Sequence, residues 1–368
     1  MKGIKMSSEK SGKTMRIIAV CALVLAAVLL VLSLTGVFNP PAKYKDFNYF
    51  AMDTYVTFRL SEEGKNGRLS ENYLKEVADK CAGILASVEY SISSHAEKGE
   101  VASLNSDVNV MVGASETLLA VLNTSERISK LTDGAFDYTL GPLTELWNVS
   151  GGGPKPSAKD ISYAMSHTGT DKFRIGEKAI QKTDKIAKVD LGAIGKGYAT
   201  QAVLEYLSTT DVSYAVVSLG GNIGIYGEKP DGKGYRIGLR DPSSPDAVMG
   251  YFEIRSGFVS VSGDYERFFE EDGVRYHHII DPETGSPADN GLRSVAVLAS
   301  NGPAADALST ALFVMGEEKA MEFYRSHVID FEAVFVTSDG RVITTDRIDS
   351  SVFELSNHNY KLTEKTKD

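Results

Sequence analysis

Residues 259–287, VSVSGDYERFFEEDGVRYHHIIDPETGSP, set the terms on which the rest of the chain is read. A strand through Val259 and Val261 stops at Ser262-Gly263-Asp264, a solvated hairpin turns around Glu271, Asp272 and Gly273, and Ile279-Ile280 runs into an Asp-Pro turn. This antiparallel arrangement would aim Ser262, Asp264, Arg267, His277, His278, Asp281 and Thr284 at one point. Read alone, the same stretch fits a charged surface hairpin with structural histidines.

The flanking sequence repeats the hairpin pattern. Strand alternation is found near 53–60, 172–189, 213–219, 235–240, 249–261, 293–299 and 332–345. Helical periodicity runs over 71–88 and 115–131, with further helices near 195–206, 303–315 and 317–326. Hairpins outnumber βα repeats, so the expected class is α+β: an antiparallel sheet core with packed helices. The Gly151-Gly-Gly-Pro-Lys-Pro156 stretch reads as a flexible surface loop.

Two more segments carry chemistry. Val189-Asp-Leu-Gly-Ala-Ile-Gly-Lys196-Gly-Tyr198 is a strand entering a glycine-rich helix start, where backbone can approach a ligand closely and amide N–H groups with Lys196 suit a phosphate. It has neither Walker spacing nor a Gly-x-Gly-x-x-Gly fingerprint. In Asn301-Gly-Pro-Ala-Ala-Asp306-Ala-Leu-Ser-Thr310, Asp306 and Thr310 share a helix face, and their oxygens suit a hard cation such as Mg2+. A helix N-terminus repels cations, so further oxygens must come from a neighbouring loop or the substrate. Asp306 reads equally as a carboxylate that favours the helix dipole.

Seven motifs in order then resemble the FAD:protein FMN transferase (ApbE) family over roughly residues 46–345: Met52-Asp-Thr54, Gly134-Ala-Phe136-Asp137 through Pro142, Asp190 to Tyr198, Ser218-Leu-Gly-Gly-Asn222, Ser260-Val-Ser-Gly-Asp264, His278-Ile-Ile-Asp281-Pro-Glu-Thr-Gly285 and Ala305-Asp306-Ala-Leu-Ser-Thr310. The resemblance implies that FAD is split and its FMN half attached by a phosphoester to a threonine or serine of a partner protein, with release of AMP. It implies Asp306, Thr310 and the Ala193 carbonyl as Mg2+ ligands, with Ser309 adjacent. It also implies Met52, Ala135, Phe136, Asp137, Asp190, Lys196 and Ile280 as cofactor contacts, and His278 as the base that activates the acceptor hydroxyl, a role His277 could exchange. Where many members carry a stacking aromatic, this chain has Ser93-Ser94-His95, which puts His95 in that slot. The same ligands would serve an FAD pyrophosphatase yielding FMN and AMP, and a non-catalytic flavin-binding surface protein is the reading from another class. No flavinylation-type segment is found in the chain, so the acceptor, expected to be a membrane redox subunit or electron-transfer lipoprotein, acts in trans.

The N-terminus sets the expected location. Residues 17–37, IIAVCALVLAAVLLVLSLTGV, form an apolar run long enough to span a bilayer core of about 30 Å. Lys2, Lys5, Lys10, Lys13 and Arg16 precede it, which predicts a cytoplasmic basic segment at 1–16, an uncleaved anchor at 17–38, a linker at 39–45, an extracytoplasmic catalytic domain at 46–348 and a polar tail at 349–368. A cleavable signal peptide is the rival reading. The two cysteines, Cys21 and Cys81, fall in the anchor and on a soluble helix, so no disulfide framework is expected. A net charge of −10 argues against nucleic-acid binding.

Overall fold

The computed structural model describes residues 42–96, 98–106 and 111–363. The expected anchor at 17–38 and basic segment at 1–16 lie outside them. Among the described residues no helix is long and apolar enough to cross a membrane. The chain forms two units, one of Met1–Lys43 with Glu228–Lys233 and one of Tyr44–Gly227 with Gly234–Asp368. In the first, the described turn is closed by the Gly232 N–H donating to the Lys229 carbonyl at 3.0 Å. All elements below belong to the second.

The strands are β1 (Tyr44–Ala51), β2 (Thr54–Ser61), β3 (Ala215–Leu219), β4 (Asn222–Tyr226), β5 (Tyr235–Asp241), β6 (Ser244–Ile254), β7 (Gly257–Gly263), β8 (Phe268–Glu271), β9 (Val274–His277), β10 (Leu292–Ala299), β11 (Glu332–Thr337), β12 (Arg341–Thr344), β13 (Phe353–Leu355) and β14 (Lys361–Leu362), with smaller pairs elsewhere. The helices are α1 (Glu71–Ile92), α2 (Glu100–Ser106), α3 (Glu116–Leu131), α4 (Gly141–Trp147), α5 (Ala158–Met165), α6 (Gly192–Ser208) and α7 (Gly302–Arg325).

Nine strands form one sheet in the order β1-β2-β3-β4-β7-β10-β11-β12-β14, antiparallel except for the last pair. Side chains alternate across it. Phe258, Val295, Val297 and Phe335 pack with the helices, whereas Val259, Ala296, Val334 and Val336 pack with a second, three-stranded sheet β5-β6-β13. The α+β expectation therefore holds as an antiparallel sheet with helices on one face and a small sheet on the other.

Local signals set the helix ends. Ser70 and Ser115 accept the Tyr73 and Leu118 amides at the starts of α1 and α3, and Asn301 accepts Ala304 N–H before Pro303 at the start of α7. α7 contains a break at Gly316, whose φ of 75° matches the two helices expected at 303–315 and 317–326.

Several boundaries differ from the sequence reading. The 172–189 strand is two short strands, Phe173–Ile175 and Ala179–Lys182, because the chain turns between them. The 249–261 strand is β6 and β7, separated by Arg255 and Ser256 ahead of Gly257, whose φ is 99°. The linker at 39–45 gives way to β1 at Tyr44; as an edge strand β1 buries only Phe47, so its pattern reads as polar. Residues 349–363 of the expected tail are built in. Buried Asp241 accepts from Asn357 Nδ2 at 2.7 Å and from the Tyr360 hydroxyl at 2.6 Å, which holds this segment against the small sheet. The 151–156 loop is pinned to the β8–β9 hairpin: Lys155 donates its N–H to Glu271 at 2.7 Å and places its ammonium 5.4 Å from the Tyr276 ring centroid.

Candidate active site

The site begins where α6 and α7 cross. Gly197 donates its backbone N–H to Asp306 Oδ2 at 2.8 Å. In a regular helix the acceptor of that amide would be the Ala193 carbonyl, four residues back, so Asp306 draws on the donor that would otherwise satisfy it. The approach requires glycine on both helices: a Cβ at 197 would lie 2.2 Å from the Gly302 carbonyl oxygen, and one at 302 would lie 2.5 Å from the Gly197 oxygen. The segment ahead of α6, which the sequence reading took as strand, makes only an isolated bridge at Lys188 and is fixed from both sides. Asp190 N–H donates to the Tyr138 carbonyl at 2.8 Å, the Asn105 side chain brackets Val189, and Asp190 Oδ1 accepts the Gly192 N–H at 2.9 Å.

Asp306 is buried and is held by neutral donors. Its Oδ1 accepts from Asn222 Nδ2 at 3.0 Å, and Asn222 in turn accepts a very short hydrogen bond from Ser260. Among the described residues none of the basic side chains forms an ion pair with Asp306. One turn on, Ser262 lies 2.8 Å from Ser309 Oγ and 3.1 Å from Thr310 Oγ1, and Ser309 donates to the Asp306 carbonyl at 2.8 Å. Asn222 is delivered by Gly220 and Gly221, which turn β3 into β4 at φ values of 49° and 87°.

Charge collects beside this carboxylate. Glu266 has its carboxyl raised by desolvation, which outweighs Lys196, Arg240 and Arg267, while Asp306 raises it further. These groups therefore share one electrostatic neighbourhood. His278 lies in it as well: desolvation, then His277, Lys196 and Arg267, push its imidazole down to about 3, so the ring is neutral. Its Nδ1 lies 3.3 Å from the Arg267 carbonyl and its N–H donates to the same oxygen at 3.1 Å. With the Nδ1 proton on that carbonyl, Nε2 is left as the acceptor. His277 differs. It is buried, its Nδ1 accepts the Ile279 N–H at 3.2 Å and its Nε2 donates to the Ala288 carbonyl at 2.8 Å, so both nitrogens are committed to structure.

The other expected contacts divide. Met52 and Asp53 form the two-residue β1–β2 turn with φ values of 52° and 57°, a left-handed pair that bulky residues rarely adopt and that is often kept for function. Met52 N–H donates to Glu89 at 3.1 Å, and its methyl lies 3.7 Å from the point where a Cβ of Gly195 would stand, which puts it on the start of α6. Ala135, Phe136 and Asp137 lie beside Asp190 through the Tyr138 bond, but the Phe136 ring is 2 % exposed and belongs to the core, so this segment offers backbone and the Asp137 carboxyl. Ile280 is buried in a satellite cluster with Leu140, Leu143 and Trp147. His95 is exposed on the loop after α1, three residues past Ile92, whose Cδ1 is 2.6 Å from the position of a Gly195 Cβ.

Three residues singled out in 259–287 are structural. Asp264 pairs with Arg293 at 2.5 Å, and Asp281 with Thr284 closes the turn that ends in Gly285. Asn222, Ser262 and Glu266 received no role from sequence. Asn222 and Ser262 were marked by the motifs that contain them, Ser218-Leu-Gly-Gly-Asn222 and Ser260-Val-Ser-Gly-Asp264, and Glu266 only by the density of polar groups around it.

Among the described residues no group of three or more His, Cys, Asp and Glu gathers as a metal cluster. The donors present are one carboxylate, hydroxyls and a helix-start carbonyl. That all-oxygen set, with a buried carboxylate lacking a cationic partner, fits Mg2+, which takes few protein ligands and keeps water and phosphate oxygens.

Residues 52–335 match the model of the ApbE family. Among curated relatives, an FAD:protein FMN transferase of Vibrio cholerae is 34% identical over 265 residues, covering 70% of this chain and 78% of that protein. One of Haemophilus influenzae is 32% identical, covering 79% and 86%. Of solved structures, the ApbE protein of Thermotoga maritima superposes with a TM-score of 0.74 at 32% identity, covering 82% of this chain and 96% of that one. The flavin transferase ApbE of Vibrio cholerae gives 0.72 at 29%, covering 84% and 98%. With a family match across most of its length and this shared architecture, the chain belongs to the ApbE family.

Proposed function

We propose that this chain transfers FMN from FAD to a threonine or serine hydroxyl of an acceptor protein in trans, in a metal-dependent reaction that releases AMP. The observation that carries this reading is the Gly197–Asp306 hydrogen bond, which brings the glycine-rich start of α6 and the carboxylate of α7 to one place. A pyrophosphate at the α6 N-terminus would meet backbone N–H groups and Lys196. Asp306, Thr310 and the Ala193 carbonyl would hold Mg2+, which when bound neutralises phosphoryl oxygens and the departing phosphate.

The acceptor oxygen attacks the phosphorus on the FMN side. One O–P bond forms, the pyrophosphate P–O bond breaks, and the bridging oxygen leaves with AMP. His278 Nε2, neutral and held by the Arg267 carbonyl, takes the hydroxyl proton. Met52 and Asp137 would border the flavin and Asp190 the glycine-rich turn, with His95 at the rim.

We further place the domain outside the cytoplasmic membrane, anchored by residues 17–38, on the strength of their apolar length and the basic residues before them. The acceptor is then a membrane redox subunit or extracytoplasmic electron-transfer lipoprotein. Incubating the full-length chain with FAD, Mg2+ and candidate acceptors tests the reaction by mass spectrometry. Covalent FMN on the acceptor with one AMP per transfer supports it, free FMN alone assigns a pyrophosphatase, and no AMP at saturating Mg2+ leaves a flavin binder.

A further inference from the structure

A hydroxyl can ligate a cation only if lone pairs, and not its proton, face the ion. For Thr310 that orientation is fixed by its neighbours. Ser309 Oγ is 2.8 Å from the Asp306 carbonyl, which cannot donate, so the single Ser309 proton is committed there. Ser262, 2.8 Å from Ser309 Oγ, must then be the donor of that pair. With its own proton spent, Ser262 can only accept from Thr310, 3.1 Å away. The directions form one chain: Thr310 to Ser262, Ser262 to Ser309, Ser309 to the Asp306 carbonyl.

We infer that Ser262 is a positioning residue for the divalent cation of this site, acting through Thr310: it takes the threonine proton and leaves lone pairs turned to the ion. The inference rests on the cation reading given under Proposed function. Ser260, two residues earlier and so on the same face of β7, acts in parallel by donating to Asn222, which holds Asp306 Oδ1. One strand face thereby orients both side-chain ligands. Without Ser262 the Thr310 hydroxyl is free to rotate, and its proton can turn toward the ion or back to the carbonyl four residues earlier.

The test is Mn2+ titration of the full-length chain at saturating FAD, following the free-ion signal by electron paramagnetic resonance, with melting of the metal-free proteins alongside. Ser262→Ala should weaken Mn2+ binding about 10-fold, the lower end of the range for residues that support metal ligands. Metal-free melting should stay unchanged, and Ser262→Thr, which keeps the hydroxyl, should bind like the parent. Parent affinity in Ser262→Ala together with weakened binding in Thr310→Val overturns the role of Ser262 and leaves the cation site standing. Parent affinity in both Thr310→Val and Asp306→Asn overturns the cation site itself.

Discussion

The Gly197 amide and the Asp306 carboxylate meet at 2.8 Å across two helices that touch backbone to backbone. A methyl at position 197 would stand 2.6 Å from Asp306 Cβ and 2.2 Å from the Gly302 oxygen, both inside van der Waals contact. Gly197→Ala should therefore force α6 and α7 apart. The expected cost is about 1–3 kcal/mol of overpacking, read by urea denaturation, with loss of FMN transfer because Asp306 moves off the α6 turn. A variant with parent stability and rate would show that this crossing is not tight in solution.

Asn222 is the other support of that carboxylate. It is buried, donates to Asp306 Oδ1 and accepts from Ser260, so Asn222→Ala leaves one acceptor and one donor unsatisfied in the interior. Each such group costs about 1–3 kcal/mol. The urea midpoint should fall and, on the proposed metal-dependent reaction, Mg2+ should be needed at higher concentration for the same rate. An unchanged Mg2+ dependence would mean that Gly197 alone suffices to hold Asp306.

The adjacent histidines should separate cleanly. His277 has both ring nitrogens bonded to backbone and its ring against Phe313, so His277→Ala should lower stability by about 1–3 kcal/mol and change the rate of the folded fraction little. His278→Ala should do the reverse, keeping the melting temperature and FAD binding while slowing transfer about 100-fold or more, as loss of a general base does. Equal rates in the two variants would remove the base assignment.

How far the sequence could be read depends on what kind of contact placed each residue. The Asp306–Thr310 spacing is a local feature, and both residues lie on α7 as local rules said; the glycines at 192, 195 and 197, expected in a strand-to-helix turn with the helix starting near 195, instead lie inside α6, which begins at Gly192. The α+β class followed from the same short-range hairpin signals. The exchange between His277 and His278 could not be resolved, because the difference lies in the Ala288 and Arg267 carbonyls, eleven residues away in each case. Ser262 gained a role only once β7 lay against α7, a contact between residues 47 and 48 positions apart. Ile280 and Phe136 sit in cofactor-like motifs yet are used for packing, and burial is not legible from a motif. The fate of residues 349–363 turned on one buried carboxylate, Asp241, more than a hundred residues upstream.

The state of His278 yields a pH prediction with a definite sign. Desolvation is the largest cause of its depression to about 3, and His277, Lys196 and Arg267 add to it, against an ordinary value of 6.5. Below pH 6.5 the unfolded chain binds a proton at this position that the folded chain refuses. The stability tied to the neutral ring is thus fully present above 6.5 and is lost as pH falls from 6.5 through about 3. His277, lowered by its burial, pulls in the same direction. On the proposed mechanism, in which His278 is the base, that base is already deprotonated across the neutral range in the free enzyme. The acid limb of kcat/KM should therefore fall below pH 6.5, with a plateau above it, rather than show a midpoint at the value of an exposed histidine. The pH–rate profile of the parent, together with NMR titration of the His278 Cε1 resonance assigned by comparison with His278→Gln, measures both quantities. A His278 midpoint at or above the ordinary value in the free protein would mean that burial does not desolvate this ring, and the neutral base would have to be explained another way.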